Sequence, residues 1–341
     1  MSIRIGLIGA GIMGADHARI VAEDLPGAKL QLVCDPSRAR AQAVADLYDV
    51  ADVTTDPASV ASRADIDALI VASPDFTHAP LSLAAIAARK PVLCEKPLSQ
   101  SSAQCRDVMD AEIKAGRRFV QLGFMRRYDQ SYIEMRNSLL DGSLGRALMM
   151  HNFHRNVETP SSDFTPAMAI TSSAPHEFDI TRYVLGADYA SISAFKAERS
   201  DDVAAPVIMV LQTTDRQLVT IEINNNAAYG YDVRAELVGE AGSTSLVAPV
   251  FSRRDAALRQ IVAYDADWRS RYYEAYRRQN KDFLKFAATG VFPVRAANAW
   301  DGYCAAVIGE AGVKALGDGR NTEIRMIEKP AFYGHQKEIA A

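Results

Sequence analysis

The sequence has few cysteines and no long apolar run, and both features limit what the protein can be. None of its four cysteines belongs to a C-x-x-C pair, so we expect reduced thiols rather than disulfides or a zinc site: Cys34, Cys94, Cys105 and Cys304. No run of about 18 apolar residues is present, so we expect no membrane-spanning helix. The N-terminus lacks a basic region and a small-residue cleavage site, which predicts no signal peptide and a cytoplasmic protein.

The sequence also lacks an excess of charge of either sign. Lysine and arginine number 38 against 42 acidic residues, a net charge of −4, and no basic tract is present. This balance argues against a nucleic-acid partner. A hydrophobic content of 48% is typical of a globular protein. The length of 341 residues exceeds what one core usually supports, so we expect two domains.

The most informative stretch is a glycine triplet near the N-terminus. An apolar run of strand length, residues 3–8, leads into Gly9, Gly11 and Gly14, and helix-forming residues follow. This spacing is typical of the Rossmann turn that binds dinucleotides. Gly9 permits the tight turn, Gly11 lets the backbone approach a pyrophosphate, and Gly14 lets helix and strand pack closely. The N–H groups at the start of the new helix then face the phosphates.

The dinucleotide interpretation requires an acidic residue after the second strand. The run from Lys29 to Cys34 reads as that strand, and Asp35 follows it, 21 residues after Gly14. A carboxylate there accepts hydrogen bonds from the adenosine ribose and repels a 2′-phosphate, which favours NAD. Arg38 and Arg40 follow closely and could bind that phosphate if Asp35 turned away, so we expect some tolerance of NADP.

Two patterns divide the chain near residue 123. Before it, apolar strands alternate with helices, which predicts a parallel sheet covered on both faces. After it, five strand runs lie within 191–247 without helices between them, which predicts an antiparallel or mixed sheet. The segment 155–173 is polar and reads as a loop. Helices are expected at 176–185, 270–288 and 296–316.

We therefore predict an α/β protein with an N-terminal Rossmann domain, residues 1–123. An α+β domain with a large, mostly antiparallel open sheet follows at 124–341, and its C-terminal helix is free to pack back on the first domain. The second domain would bind substrate. Its open sheet needs a cover, so we expect it to form a homodimer or homotetramer.

Several residues suit redox chemistry at a hydroxyl group. Lys96, in Glu95-Lys96-Pro97, follows a predicted strand, and its ammonium could stabilise a developing alkoxide. Asp35, Ser73 and Gln121 follow other strands of that sheet. His176 begins a predicted helix and could take a hydroxyl proton. Taken alone, the lysine is more often a surface residue before a turn, and the histidine more often a cap or core residue. The remaining candidates suit a polyhydroxylated ligand or an ordinary surface: Arg126, Arg127, His154, Asn156, Tyr229 and Tyr231.

Three motifs in this order carry a resemblance to a known family. They are the glycine turn ending in Ala15-Asp16-His17, the triplet Glu95-Lys96-Pro97, and His176-Glu177-Phe178-Asp179. Together they resemble the glucose–fructose oxidoreductase/inositol dehydrogenase (Gfo/Idh/MocA) family over nearly the whole chain. The stretches 121–129 and 229–232 are most similar to its inositol 2-dehydrogenase branch.

The resemblance implies NAD-dependent oxidation of an inositol-type cyclic polyol to the keto compound. The alternatives are an aldose or other sugar dehydrogenase on the same scaffold and a non-catalytic NAD-sensing regulator. Lys96, often joined to Pro97 by a cis bond in the family, and His176 would be catalytic. The implied cofactor-binding residues are Gly9, Gly11, Ile12, Met13, Gly14, Asp35, Ser73, His78, Glu95 and Lys96. The implied substrate-binding residues are Lys96, Met125, Arg126, His154, Asn156, Ser172, Ser173, His176, Tyr229 and Tyr231.

The chain departs from the family pattern at Ser172. Many members carry an aspartate there, four residues before the catalytic histidine. Serine can bind a substrate hydroxyl but supplies no negative charge. We hypothesise that Asp179, one helical turn after His176, provides the electrostatic support. The alternative is that Asp179 is an ordinary helix residue in a salt bridge.

Overall fold

The computed structural model describes residues 2–198, 204–247 and 253–334. The chain divides into two compact units. Unit 1 comprises Met1–Met125, Tyr276–Ala306 and Met326–Ala341, and unit 2 comprises Arg126–Ala275 and Val307–Arg325.

Unit 1 contains a six-stranded parallel sheet. Its strands are β1 (Ile3–Ile8), β2 (Ala28–Cys34), β3 (Val53–Thr54), β4 (Ala68–Val71), β5 (Val92–Cys94) and β6 (Val120–Leu122). Their spatial order is β3-β2-β1-β4-β5-β6, and β4 and β5 are buried along their whole length. The order reverses between β1 and β4, and in such sheets the ligand binds outside the carboxyl ends of the strands at that point. The predicted Rossmann topology is confirmed.

The helices of unit 1 differ in how they begin, because only some of them start at a side-chain cap. They are α1 (Ile12–Arg19, continued by a π-helical turn at Ile20–Asp24), α2 (Arg38–Leu47), α3 (Pro57–Val60), α4 (His78–Ala87) and α5 (Ser102–Ala115). Ser37 accepts a hydrogen bond from the Arg40 N–H and caps α2, as predicted. Ser101 caps α5, and Gly116, in the left-handed conformation, ends it.

The C-terminal part of unit 1 is held by a buried carboxylate. Glu112 of α5 accepts hydrogen bonds from the Phe119 and Val120 N–H groups at 2.5 and 2.8 Å. The Tyr333 hydroxyl donates to the other oxygen at 2.6 Å. Burial raises the pKa of Glu112 above its usual range, although these donors oppose the rise.

Unit 2 contains a seven-stranded mixed sheet. Its strands are β7 (Ala147–Arg155), β8 (Tyr189–Lys196), β9 (Val207–Thr213), β10 (Leu218–Asn224), β11 (Asp232–Gly239), β12 (Ser243–Ser245) and β15 (Thr322–Glu323). They lie in the order β12-β11-β7-β10-β9-β8-β15. The β7–β10 pair is parallel and the other pairs are antiparallel. The expectation of a mostly antiparallel open sheet is therefore confirmed.

Helices cover one face of this sheet. They include α6 (Gln130–Leu140), α7 (Pro166–Met168) and α8 (Pro175–Leu185). A core cluster joins Tyr132 and Met135 of α6, Ile180 and Val184 of α8, and Met150 of β7. Side chains of this size each contribute about 1.5–3 kcal/mol when fully buried. This packing fixes α8, which carries His176, against β7.

Two long helices complete the chain, α9 (Trp268–Thr289) and α10 (Ala299–Asp318). No helix among the described residues is long and apolar enough to cross a membrane.

Two expectations from the sequence need correction. The segment 155–173 is not entirely a loop, because α7 and a π-helical turn at Ala169–Ser173 form within it. Thr165 caps α7 by accepting from the Met168 N–H, and Pro166 occupies its first turn, which explains this start. A small hairpin was also missed, formed by β13 (Arg254–Ala256) and β14 (Arg259–Ile261).

Candidate functional site

The glycine turn of unit 1 is shaped by two close approaches. Gly9 has a φ of +102°, and a Cβ there would lie 2.3 Å from the Ala72 carbonyl oxygen. A Cβ on Gly14 would lie 1.9 Å from the Gly9 oxygen. No heavy atom lies within 4 Å of the Cβ position of Gly11. Gly9 and Gly14 therefore serve packing, whereas Gly11 leaves open space before α1, next to the exposed Ile12 and half-buried Met13.

Asp35, at the end of β2, is tied to this turn. Its Oδ2 accepts from the Ala10 N–H at 2.9 Å. Its Oδ1 accepts from the Ser37 N–H at 2.8 Å and from Arg40 Nη2 at 2.8 Å. Burial alone would raise the pKa of Asp35, but these donors lower it below its usual range. The side chain is therefore a carboxylate.

Ser73 follows β4, another strand of this sheet. Its hydroxyl lies 2.5 Å from the Thr77 hydroxyl. Its carbonyl oxygen lies 2.7 Å from Nε2 of His78, whose Nδ1 lies 2.7 Å from the Pro97 oxygen. Both ring nitrogens of His78 are thus occupied by the main chain, and the ring is buried. The His78 ring therefore joins the Ser73 and Pro97 segments.

Lys96 follows β5 as predicted, and its peptide bond to Pro97 is cis. The preceding Glu95 is buried, and its Oε1 lies 2.9 Å from Nε2 of His17. A Cβ on Gly123 would lie 2.7 Å from the Glu95 carboxyl, so the carboxyl is closely enclosed. Lys96 itself is half-buried.

In unit 2, His176 is the second residue of α8 and is buried. Its ring centroid lies 6.3 Å from that of His154 on β7. The Tyr231 ring lies 6.5 Å from His154 on another side. The structure therefore brings these three predicted site residues together.

A buried charge network supports this cluster. Arg126 donates to Oε1 of Glu177, and Nδ1 of His154 lies 3.1 Å from Oε2 of the same carboxylate. Burial alone would raise the pKa of Glu177, but Arg126 and His154 lower it to about 2. Glu177 is therefore charged, and the Arg126 guanidinium, expected to bind substrate, is engaged by it.

Asparagine side chains continue the network to Ser173. The Asn156 amide lies 3.3 Å from Nε2 of His154 and donates to Asn225 Oδ1 at 2.8 Å. Asn225 in turn donates to the Ser173 hydroxyl at 3.0 Å. Because an amide N–H only donates, this arrangement leaves Nε2 of His154 as an acceptor, while Nδ1 of the same ring faces Glu177.

The other predicted residues are placed differently. Tyr229 is 49% exposed; its hydroxyl donates to Asp232 at 2.7 Å and accepts from Arg155 at 2.9 Å. This hydroxyl is therefore committed to an ion-pair network, unlike the buried ring of Tyr231. Met125 is buried in unit 1. Ser172 is half-buried in the π-helical turn before α8.

Asp179, the hypothesised support of His176, is engaged by another residue. Arg127 donates to both of its oxygens, at 2.8 and 2.5 Å, and both side chains are buried. The salt-bridge alternative is therefore present in the structure. The carboxylate next to the His154–His176 pair is Glu177 instead.

Family comparisons match both parts of the chain. The model of an oxidoreductase family with an NAD-binding Rossmann fold (GFO_IDH_MocA) matches residues 3–124. The model of the GFO/IDH/MocA C-terminal domain matches residues 132–245. The chain belongs to the GFO/IDH/MocA family.

Individual relatives in this family cover the chain from end to end. Inositol 2-dehydrogenase 1 of Saccharopolyspora erythraea is 41% identical over 339 residues, 98% of this chain and 100% of that protein. Inositol 2-dehydrogenase of Klebsiella pneumoniae is 39% identical over 98% of this chain and 99% of that protein. Among solved structures, myo-inositol dehydrogenase from Lactobacillus casei, in complex with NAD(H) and myo-inositol, superposes with a TM-score of 0.90. It is 30% identical and covers 98% of this chain and 100% of that one.

The residues of this GFO/IDH/MocA chain fit the NAD of its family. The first N–H groups of α1 have no partner within the helix, and Gly11 leaves space in front of them. Asp35 Oδ2 accepts one hydrogen bond within the protein and keeps a lone pair for a ribose hydroxyl. The chain is therefore an NAD-dependent oxidoreductase, because its family has this activity and its glycine turn and Asp35 fit the cofactor.

Three site residues were missed from the sequence. Glu177 directly follows His176, and this adjacency was a usable signal. Asn225 lies in a run of three asparagines that begins with the last residue of β10, which marks a polar strand end. Asn280, which binds His17 Nδ1 at 3.1 Å, lies in the middle of α9 and carried no signal.

Proposed function

We propose that this chain oxidises an inositol-type cyclic polyol to its keto compound with NAD. The observation that carries the proposal is the buried network of Arg126, Glu177 and His154 beside His176. Burying charged groups is costly unless they are paired. A ligand rich in hydroxyl groups would use such fixed polar groups, whereas an apolar ligand would not.

In this proposal, NAD, when bound, would supply the acceptor for the hydride of the ring carbon. The His176 imidazole takes the hydroxyl proton during oxidation and returns it during reduction. The Lys96 ammonium hydrogen-bonds the substrate oxygen and favours the developing alkoxide. His154, held in place by Glu177 and Asn156, presents a fixed polar edge to a hydroxyl group. Ser172, Ser173 and Asn156 supply further donors and acceptors.

Turnover with a panel of polyols tests the proposal. NADH formation is followed by absorbance with several inositols and several aldoses, and NAD binding is measured by calorimetry. We expect turnover with at least one inositol, and a loss of at least about 100-fold in kcat for His176→Ala. Turnover with aldoses alone would favour a sugar dehydrogenase. NAD binding without turnover on any polyol would favour a sensor.

We also propose that the chain forms a homodimer or homotetramer through the seven-stranded sheet. Phe195 and Ile208, paired across β8 and β9, are 56% and 47% exposed on one face of it. Exposed apolar groups of this kind mark association surfaces. Light scattering of Ile208→Lys should show a smaller particle than the wild type. Phe76→Lys, at an exposed position of unit 1, is the control.

We also propose that the protein is located in the cytoplasm. This location is supported by the four cysteines, all of which are buried free thiols.

A further inference from the structure

His78 makes an unusual pair of contacts. It is the first residue of α4, and its ring is 1% exposed. Nδ1 lies 2.7 Å from the Pro97 carbonyl oxygen, and Nε2 lies 2.7 Å from the Ser73 carbonyl oxygen. Both distances are short for a hydrogen bond between nitrogen and oxygen.

The two partners determine the protonation of the ring. A carbonyl oxygen can only accept a hydrogen bond, and a neutral imidazole has a single N–H donor. A neutral ring would therefore direct the lone pair of one nitrogen at a carbonyl oxygen 2.7 Å away, a distance that leaves no room for a water between them. Only the imidazolium satisfies both contacts.

The surrounding charges agree with this reading. Burial alone would lower the pKa of His78, but Cys94, the Pro97 carbonyl and Asp75 together raise it to about 9. Cys94 ends β5, and Asp75 belongs to the turn that precedes α4. Among the described residues, Cys94 and Asp75 are the titratable side chains that contribute most to this shift. The direction of this shift favours the charged ring.

The two carbonyl groups belong to the segments that matter for redox chemistry in unit 1. Ser73 follows β4, and Pro97 directly follows Lys96. On the other side of Lys96, the Glu95 carboxyl is bound by His17. Both sequence neighbours of the half-buried Lys96 are thus held by histidines, Glu95 by His17 and Pro97 by His78.

We propose that His78 is a buried imidazolium that positions Lys96 by holding the Pro97 carbonyl to the Ser73 turn. His78 is a positioning residue, since its nitrogens are used by the main chain. This inference rests on the role proposed above for Lys96.

Nitrogen NMR tests the protonation directly and needs no turnover. The protein is labelled with ¹⁵N-histidine, and the His78 signals are assigned by their loss in His78→Gln. We expect both ring nitrogens to be protonated at pH 7.5, with deprotonation at a higher pH than for ordinary histidines. A single protonated nitrogen at pH 7.5 would refute the proposal.

Kinetics tests the positioning role. His78→Gln loses the charge and one ring donor, whereas His78→Lys keeps the charge and more than one donor. We expect His78→Gln to lower kcat by about tenfold or more, with the polyol KM and the NAD Kd changed by less than about threefold. We expect His78→Lys to recover part of kcat. His151→Gln, which removes a half-buried histidine bound to Thr220 in unit 2, is the control and should keep the wild-type rate.

Other outcomes separate the two proposals. If His78→Gln changes only the NAD Kd, or if the lysine variant is no better than glutamine in kcat, the positioning role is wrong. Wild-type protein that oxidises no polyol would refute the proposed function and the positioning role together, while the NMR result would still decide the protonation.

Discussion

Nε2 of His17 lies 2.9 Å from Oε1 of Glu95, and both side chains are buried in unit 1. The other ring nitrogen lies 3.1 Å from Oδ1 of Asn280. The amide of Asn280 donates to the Tyr276 carbonyl, which directs Oδ1 toward the histidine. Oε2 of Glu95 accepts from the Lys96 N–H at 3.3 Å. One chain of contacts therefore runs from α9 through His17 to the backbone of Lys96.

Removing the Glu95 carboxyl should destabilise the fold more than neutralising it. Glu95→Ala leaves His17 buried without its acceptor, and such losses cost about 3–5 kcal/mol. Glu95→Gln keeps an acceptor oxygen and should cost about 1–2 kcal/mol. Urea unfolding measures both. Equal stabilities for the two variants would mean that the contact contributes nothing.

Asp35 and Arg40 together should set the preference for NAD. Asp35→Ser removes the carboxylate that holds Arg40 and leaves the 61% exposed guanidinium available to a 2′-phosphate. We expect the ratio of kcat/KM for NADP to that for NAD to rise by about 100-fold. The double variant Asp35→Ser/Arg40→Ala should lose most of this gain. An unchanged ratio in the single variant would assign cofactor choice to other residues.

The features that could be predicted are those with a local pattern. The glycine turn, Asp35, the strand runs and the Ser37 cap each lie within a short window of sequence, where spacing and side-chain type determine the backbone. The parallel sheet of unit 1 follows from the alternation of strands and helices.

What could not be predicted depends on residues far apart in the chain. His17 meets Glu95 78 residues away and Asn280 263 residues away, and no spacing rule connects them. The hairpin of β13 and β14 was missed because Ala257 and Leu258 at its tip, with φ of +48° and +59°, are not the glycine or asparagine expected there.

Asp179 should matter for stability, because its partner is Arg127. Asp179→Asn breaks the buried ion pair that Arg127 makes with both Asp179 oxygens, and breaking such a pair costs about 3–5 kcal/mol. Replacing both residues by methionine should recover much of this loss. Thermal unfolding measures the effect.

The kcat of Asp179→Asn distinguishes a purely structural ion pair with Arg127 from direct electrostatic support of His176. If Asp179 only anchors Arg127, the folded fraction of Asp179→Asn should retain kcat within about threefold, because the change does not touch the reacting groups. A loss of kcat in fully folded protein would restore the electrostatic role.

The stability given by His78 should depend on pH. Its pKa is about 9 in the folded protein and near 6.5 in the unfolded chain. A raised folded pKa gives stability that is complete below about pH 6.5 and lost as the pH rises through about 9. The shift corresponds to about 3 kcal/mol. The difference in unfolding free energy between wild type and His78→Gln should therefore shrink between pH 6 and pH 10. A constant difference would contradict a charged ring.

Ser172 offers the sharpest test of how His176 is supported. It lies in the π-helical turn at Ala169–Ser173, directly before the helix that carries His176. A carboxylate at this position would favour the protonated imidazole through its negative charge. His176 must be neutral to accept a proton during oxidation. Ser172→Asp should therefore move the acidic limb of the kcat/KM profile to higher pH by about one unit. Ser172→Asn, similar in size but uncharged, should leave the limb in place. If both variants behave alike, the effect comes from shape, and the charge at this position has no influence on the proton transfer.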